Sequence, residues 1–254
     1  MIAIPAGDLY GLINSFFWPF VRLLALIATA PLLNHRTVPA RLKIALAIAC
    51  AIVVAPTLPP MPAVEPFSGE GVLLLLQQSL VGAAIGIAMQ FVFAAIELSG
   101  DMIGLQMGLS FSGFVDPQNS ASTPLIGSFM VMIASLVLLA INGHLMMIAS
   151  LVESFQAIPI AARPEHGLGL ERLISLGGEI FRIGLHLSLP VLATLLALNI
   201  TMGVLTRAAP QLNVFSVGFP ITLLGGLLLL GFALPFVGIA IERSIVQSLS
   251  IVGR

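Results

Sequence analysis

The sequence predicts an all-α integral membrane protein with about six long apolar helices, and three observations carry that prediction. Of its 254 residues, 58% are hydrophobic and only 8% are charged, against about 25% charged in ordinary soluble domains. The mean hydropathy is +1.11. Apolar runs recur at the length a helix needs to cross a hydrocarbon core, roughly 20 residues, and proline or glycine punctuates the connections between them.

Six segments meet that measure: 9–33, 40–58, 71–98, 124–151, 174–206 and 214–241. The first charged residue is Asp8 and no basic run precedes the first segment. That segment therefore reads as a retained membrane helix rather than a cleaved signal peptide. Pro39 opens the second segment, and the PTLPPMP run at 56–62 reads as a stiff extended connector after it. Asp116-Pro117, Pro159, Pro164 and Ala209-Pro210 mark later breaks, since proline disfavours helical geometry in the residue before it. His35, Arg36, Arg41 and Lys43 make the first connection the most basic, which places it in the cytoplasm and the N-terminus outside. Glu65 and Glu70 in the second connection fit the outer side. Beyond that point the charge rule weakens: 99–123 has no basic residue, and 152–173 carries Arg163 and Arg172. Segments three and five are also too long for perpendicular crossings at 1.5 Å rise per residue. Helices of that kind tilt, or continue out of the bilayer inside an assembly.

Several function classes drop out. A net charge of −1 without any basic run gives no footprint for nucleic acid. Cys50 is the only cysteine, and His35, His144, His166 and His186 are scattered, so no metal or cofactor site is expected. Neither a Gly-x-Ser-x-Gly elbow nor a phosphate-cradling loop is present, and no enzyme is expected.

Glycines recur at four-residue spacing, Gly82 and Gly86, then Gly100, Gly104 and Gly108. On a helix this makes a smooth stripe for close backbone approach, within the chain or to a partner. Gln90, Glu97 and Asp101 share another face of the same segment. A carboxylate pair at i and i+4 needs a proton, a cation or water. Arg22 and Arg182 are the candidate cations. A structural ion pair, an assembly contact and proton or ion coupling all remain open for this line.

Three polar interruptions follow. GDMIGLQMGLSFSGFVDPQ at 100–118 is too long for a bare connector. Met107, Phe111 and Phe114 are spaced to stack on one side of a local helical turn, which suits a compressible apolar seal. In INGHLMMIASLVESF, Asn142, Gly143 and His144 lie mid-segment. In TRAAPQLNVFSVGFP, Arg207, Gln211 and Asn213 surround Pro210, forming either a tight turn or a set of caps and subunit contacts.

These three motifs, in this order and spacing, resemble the FliR family, membrane components of the flagellar type III export apparatus with counterparts in injectisomes. The resemblance covers nearly the whole chain. It implies a non-enzymatic single-copy subunit of an export gate in the bacterial inner membrane, within the flagellar basal body. The implied partners are FliP-like and FliQ-like subunits, FlhB-like and FlhA-like export proteins, unfolded polypeptides in transit, and lipid. Residues 1–173 then look like a FliP-type helical part and 174–254 like a FliQ-type hairpin with a tail, built as kinked helical hairpins partly above the membrane plane. The resemblance also implies a channel plug at about 108–122, with Met107, Gly108, Phe111, Gly113, Phe114, Asp116 and Pro117 as its residues. From spacing and composition, helix packing and assembly are expected of Gly82, Gly86, Gly100, Gly104, Gln90, Glu97, Asp101, Asn142, Gly143, His144, Arg207, Pro210, Gln211 and Asn213. One departure stands out: the family pattern has an acidic residue where this chain has Asn142. From another class, an ion-coupled secondary transporter would use Glu97, Asp101 and His144.

Overall fold

Long apolar runs with no hydrogen-bonding partner in lipid satisfy their backbones by forming helices, and every regular element among the described residues of the computed structural model is a helix. The described residues are 6–59, 61, 64–109, 125–160, 170–209 and 218–252. Helix α1 spans Ala6–Thr29 and α2 Ala40–Val54, continued by a 3-10 turn at Ala55–Thr57. Helix α3 spans Gly69–Gln106, α4 Leu125–Ala140, α5 Gly143–Ala157, α6 Leu170–Ala208 and α7 Phe219–Val252.

Fewer than six of these helices meet the length and composition of a membrane crossing. Four do among the described residues: Ala40–Thr57, Gly69–Gln106, Ile180–Ala208 and Phe219–Leu249; a bent pair, α4 with α5, makes a fifth if counted as one span. Two physical reasons account for the shortfall. The apolar part of α1, Asn14–Thr29, is too short, and Trp18, Leu23, Leu26 and Ile27 bury it in protein. The expected segment 124–151 is not a single helix either. Asn142 adopts the left-handed conformation at φ 55 and breaks it. The long third and fifth segments do form single helices of 38 and 39 residues. Pro19, Pro190 and Pro235 lie inside α1, α6 and α7. Each removes a donor from the helical ladder.

The chain forms two compact units that interleave in sequence. One comprises residues 1–91, 142–176 and 245–254, and the other 92–141 and 177–244. These limits follow tertiary packing.

The first unit is organised around α1, which packs on α2 and α5. It also meets α3 through glycine: a Cβ on Gly82 would collide with the Arg22 carbonyl, and one on Gly86 with the Thr29 hydroxyl. In the second unit, the C-terminal half of α3 plays the corresponding part. Gly100 of α3 faces Gly127 of α4 so closely that a Cβ would lie 2.7 Å from the Gly127 Cα. Gly184 of α6 sits against the Ala95 carbonyl, where a Cβ would lie at 2.9 Å, and the Ser188 hydroxyl, one turn on, donates to Met102 Sδ at 3.7 Å. Small residues let backbones approach, which is how helices gain packing energy where no hydrophobic effect separates protein from lipid.

Candidate functional site

Three places bring the sequence-selected residues together with others. The first is a buried polar joint on α1. Arg22 is fully buried. Its Nε donates to Oε1 of Gln78 at 2.7 Å, Nη1 to the Ser154 hydroxyl at 2.9 Å and Nη2 to the Ile158 carbonyl at 3.0 Å. The guanidinium also lies 3.9 Å from the Phe155 ring centroid. Three helices, α1, α3 and α5, are thus tied by one side chain. Arg22 makes no ion pair among the described residues. Instead its charge meets an amide, a hydroxyl, an aromatic face and a carbonyl at the C-terminal end of α5, where the helix dipole favours a cation. Arg22 therefore does not serve as a counter-ion within a carboxylate pair. Trp18 Nε1, Gln78 Nε2 and Ser150 Oγ are buried polar atoms of the same unit without a partner among the described residues.

Gln90 belongs to this unit as well. Its side-chain amide donates to the Thr29 carbonyl at 2.6 Å. Thr29 ends α1, so Gln90 satisfies one of the orphan carbonyls that every helix terminus leaves.

The second place is the carboxylate line of α3. Glu97 is exposed. Asp101 is half-buried and its Oδ1 lies against Gly127 of α4, with no hydrogen-bond partner among the described residues. The predicted i, i+4 relationship holds, but the two carboxylates occupy different environments. Gly104 faces Ile126 at ordinary distance, 3.5 Å for a built Cβ, so it does not share the close approach of Gly100. Within this chain the stripe packs against α1 and α4.

The third place is the end of α3. The Met107 and Gly108 amides donate to Ile103 and Leu105 at 2.9 and 3.0 Å. Gly108 then turns left-handed at φ 82, a conformation that glycine adopts without a Cβ clash and that commonly ends helices. Met107 is fully buried. Its side chain occupies the space above Gly226 of α7, where a Cβ would lie 2.5, 2.8 and 2.9 Å from Cγ, Sδ and Cε. The adjacent Gly225 faces Leu198 of α6 instead, at 3.0 Å from Cδ2. Each glycine of the pair therefore serves a different helix.

The remaining expected residues divide as follows. Phe111, Gly113, Phe114, Asp116 and Pro117, together with Pro210, Gln211 and Asn213, lie outside the described residues. Arg207 is exposed in the last turn of α6. Asn142 is exposed and Gly143 buried, while His144 is half-buried with Nδ1 unpartnered among the described residues. The left-handed φ at Asn142 gives the departure from the acidic pattern a conformational reading, because Asn and Asp both tolerate that region. Sequence reasoning missed Gln78, Ser154, Gly127, Gly184 and Gly226. A glycine interrupting an apolar segment was the available signal for the last three. For the first two there was none, because a polar residue's partner 56 or 132 positions away leaves no local trace.

Comparison with known proteins gives the chain's family. Residues 13–248 match the family model described as bacterial export proteins, family 1. The chain is 44% identical over 237 residues to the flagellar biosynthetic protein FliR of Pectobacterium carotovorum subsp. carotovorum, covering 93% of this chain and 90% of the relative. It is 43% identical over 237 residues to that of Escherichia coli K12, with the same coverage. The counterpart in Bacillus subtilis is 33% identical over 220 residues, covering 85% and 84%. The matched residues run from within α1 into α7 and include all three sites, and the chain belongs to the FliR family of bacterial export proteins.

Proposed function

We propose that the chain is a single-copy subunit of the flagellar type III export gate in the bacterial inner membrane, and that it helps form and seal the channel for unfolded flagellar proteins. Its FliR relatives are named for flagellar biosynthesis and its family for bacterial export, and its helices are those of a multi-pass membrane protein. In this reading residues 1–173 act as a FliP-like part and 174–254 as a FliQ-like hairpin. They assemble with FliP-like and FliQ-like subunits beside FlhB-like and FlhA-like proteins. The observation that carries the sealing role is the end of α3. A long helix stops at a buried Met107 and a left-handed Gly108, where the plug of about 108–122 is expected to begin. From that fixed end the plug residues Phe111, Gly113, Phe114, Asp116 and Pro117 would close the passage, with bulky apolar tips that move aside for a polypeptide without breaking a packed core.

The test is deletion of residues 110–120 in the assembled gate, followed by measurement of small-ion leak across the inner membrane. A leak with the complex intact is the expected result, and unchanged permeability overturns the plug assignment. Mild extraction should recover the chain with two other small apolar membrane proteins; a stable, monodisperse monomer from native-like expression overturns the assembly.

A further inference from the structure

We propose that Gly226 of α7 is a positioning residue for the gate: by leaving room for the buried Met107 side chain, it pins the end of α3 and so fixes the point from which the sealing segment departs. The inference rests on the plug reading given above. Three observations carry it. The Met107 side chain is fully buried, so its position is set by what it packs against. At Gly226 three of its side-chain atoms fall within 2.9 Å of where a Cβ would stand. A Cβ there requires the buried Met107 side chain to shift from its Cγ outward. Finally, the backbone turns left-handed at Gly108, directly after the pinned residue. A displaced Met107 would therefore redirect the chain at its exit from α3.

The neighbouring glycines show that this is a property of Gly226 rather than of glycine in an apolar helix. Gly225 meets only the far end of Leu198, which can rotate away. Gly231 and Gly238 on the same helix have nothing within 4 Å. Methionine suits the seat because its unbranched chain fills an irregular space. Leucine, of similar volume, is the conservative replacement.

The experiment uses the full chain in the assembled complex, with small-ion leak, secretion of flagellar protein and amount of co-purified complex read together. Gly226→Ala is expected to raise the ion leak several-fold with complex recovery kept, and Gly231→Ala to leave it unchanged. Met107→Ala, which empties the seat without adding bulk, should leak as well, while Met107→Leu should seal. In the double variant, the leak should be no greater than in Met107→Ala alone, because both changes act through one contact. A sealed Met107→Ala overturns the proposal even where Gly226→Ala assembles poorly, and so does an additive double variant. If deletion of 110–120 leaks while Gly226→Ala and Met107→Ala both seal, the positioning role fails and the plug reading stands. If the deletion itself seals, the plug reading fails first.

Discussion

The side-chain amide of Gln90 caps the last carbonyl of α1, donating to Thr29 at 2.6 Å. One turn earlier on α3, Gly86 admits the Thr29 hydroxyl, which donates within its own helix to Ala25 at 2.8 Å. Thr29 is therefore held from both its backbone and its side chain. Gln90→Leu should destabilise the first unit by about 1 kcal/mol, the worth of a hydrogen bond to a part-buried carbonyl. Thermal unfolding of the purified complex in detergent checks this, and an unchanged midpoint would remove the capping role.

Arg22→Lys should be costly although it conserves charge. A lysine presents a compact ammonium and does not reproduce the planar fork that reaches Gln78, Ser154 and Ile158. A loss of about 2 kcal/mol is expected, the worth of a hydrogen bond to a charged group. Arg22→Ala should cost more, since it also leaves Gln78 Oε1 and the Ile158 carbonyl without their donor. Steady-state level in membranes and detergent melting report both. Equal behaviour of Lys and Arg at this position would show that charge alone matters.

The glycine stripe divides into tight and loose positions. Gly100→Ala and Gly127→Ala should each destabilise by about 1–3 kcal/mol, the usual cost of overpacking. Gly104→Ala should be near neutral, because its Cβ would make ordinary contact with Ile126. If Gly104→Ala is as harmful as Gly100→Ala in assembly yield, a partner subunit must cover Gly104.

Asn142 should tolerate Gly and Asp and reject Val. A β-branched residue at φ 55 is strained by roughly 1–2 kcal/mol. Val therefore favours straightening α4 into α5, whereas Gly accepts the break. Motility in a complemented deletion strain, with protein level as control, separates the cases. If Asn142→Asp and Asn142→Gly behave alike, conformation accounts for the position. If Asp alone functions better than Asn, charge matters there after all.

Fold class was legible because hydropathy is a property of long runs. The count of crossings was not. Residues 9–33 and 124–151 are apolar enough to pass by composition, but hydropathy does not distinguish a helix buried in protein from one facing lipid, nor register a break set by one residue's φ. The line of Gln90, Glu97 and Asp101 shows the same limit at a site. Helical spacing put the three on one face, yet the structure leaves Glu97 exposed, sets Asp101 against Gly127 and sends Gln90 to a helix cap. Which neighbour a face meets is decided by helices far away in sequence. The pairing of Met107 with Gly226, distant in sequence, lay beyond any local pattern for the same reason.

The partners of Arg22 have one more consequence. An amide, a hydroxyl, a peptide carbonyl and an aromatic ring exchange no proton near neutral pH, and a guanidinium does not either. The joint that ties α1, α3 and α5 therefore holds alike on the acidic and the alkaline side of an energised membrane. A swing in proton gradient large enough to titrate a carboxylate would leave this part of the frame unmoved.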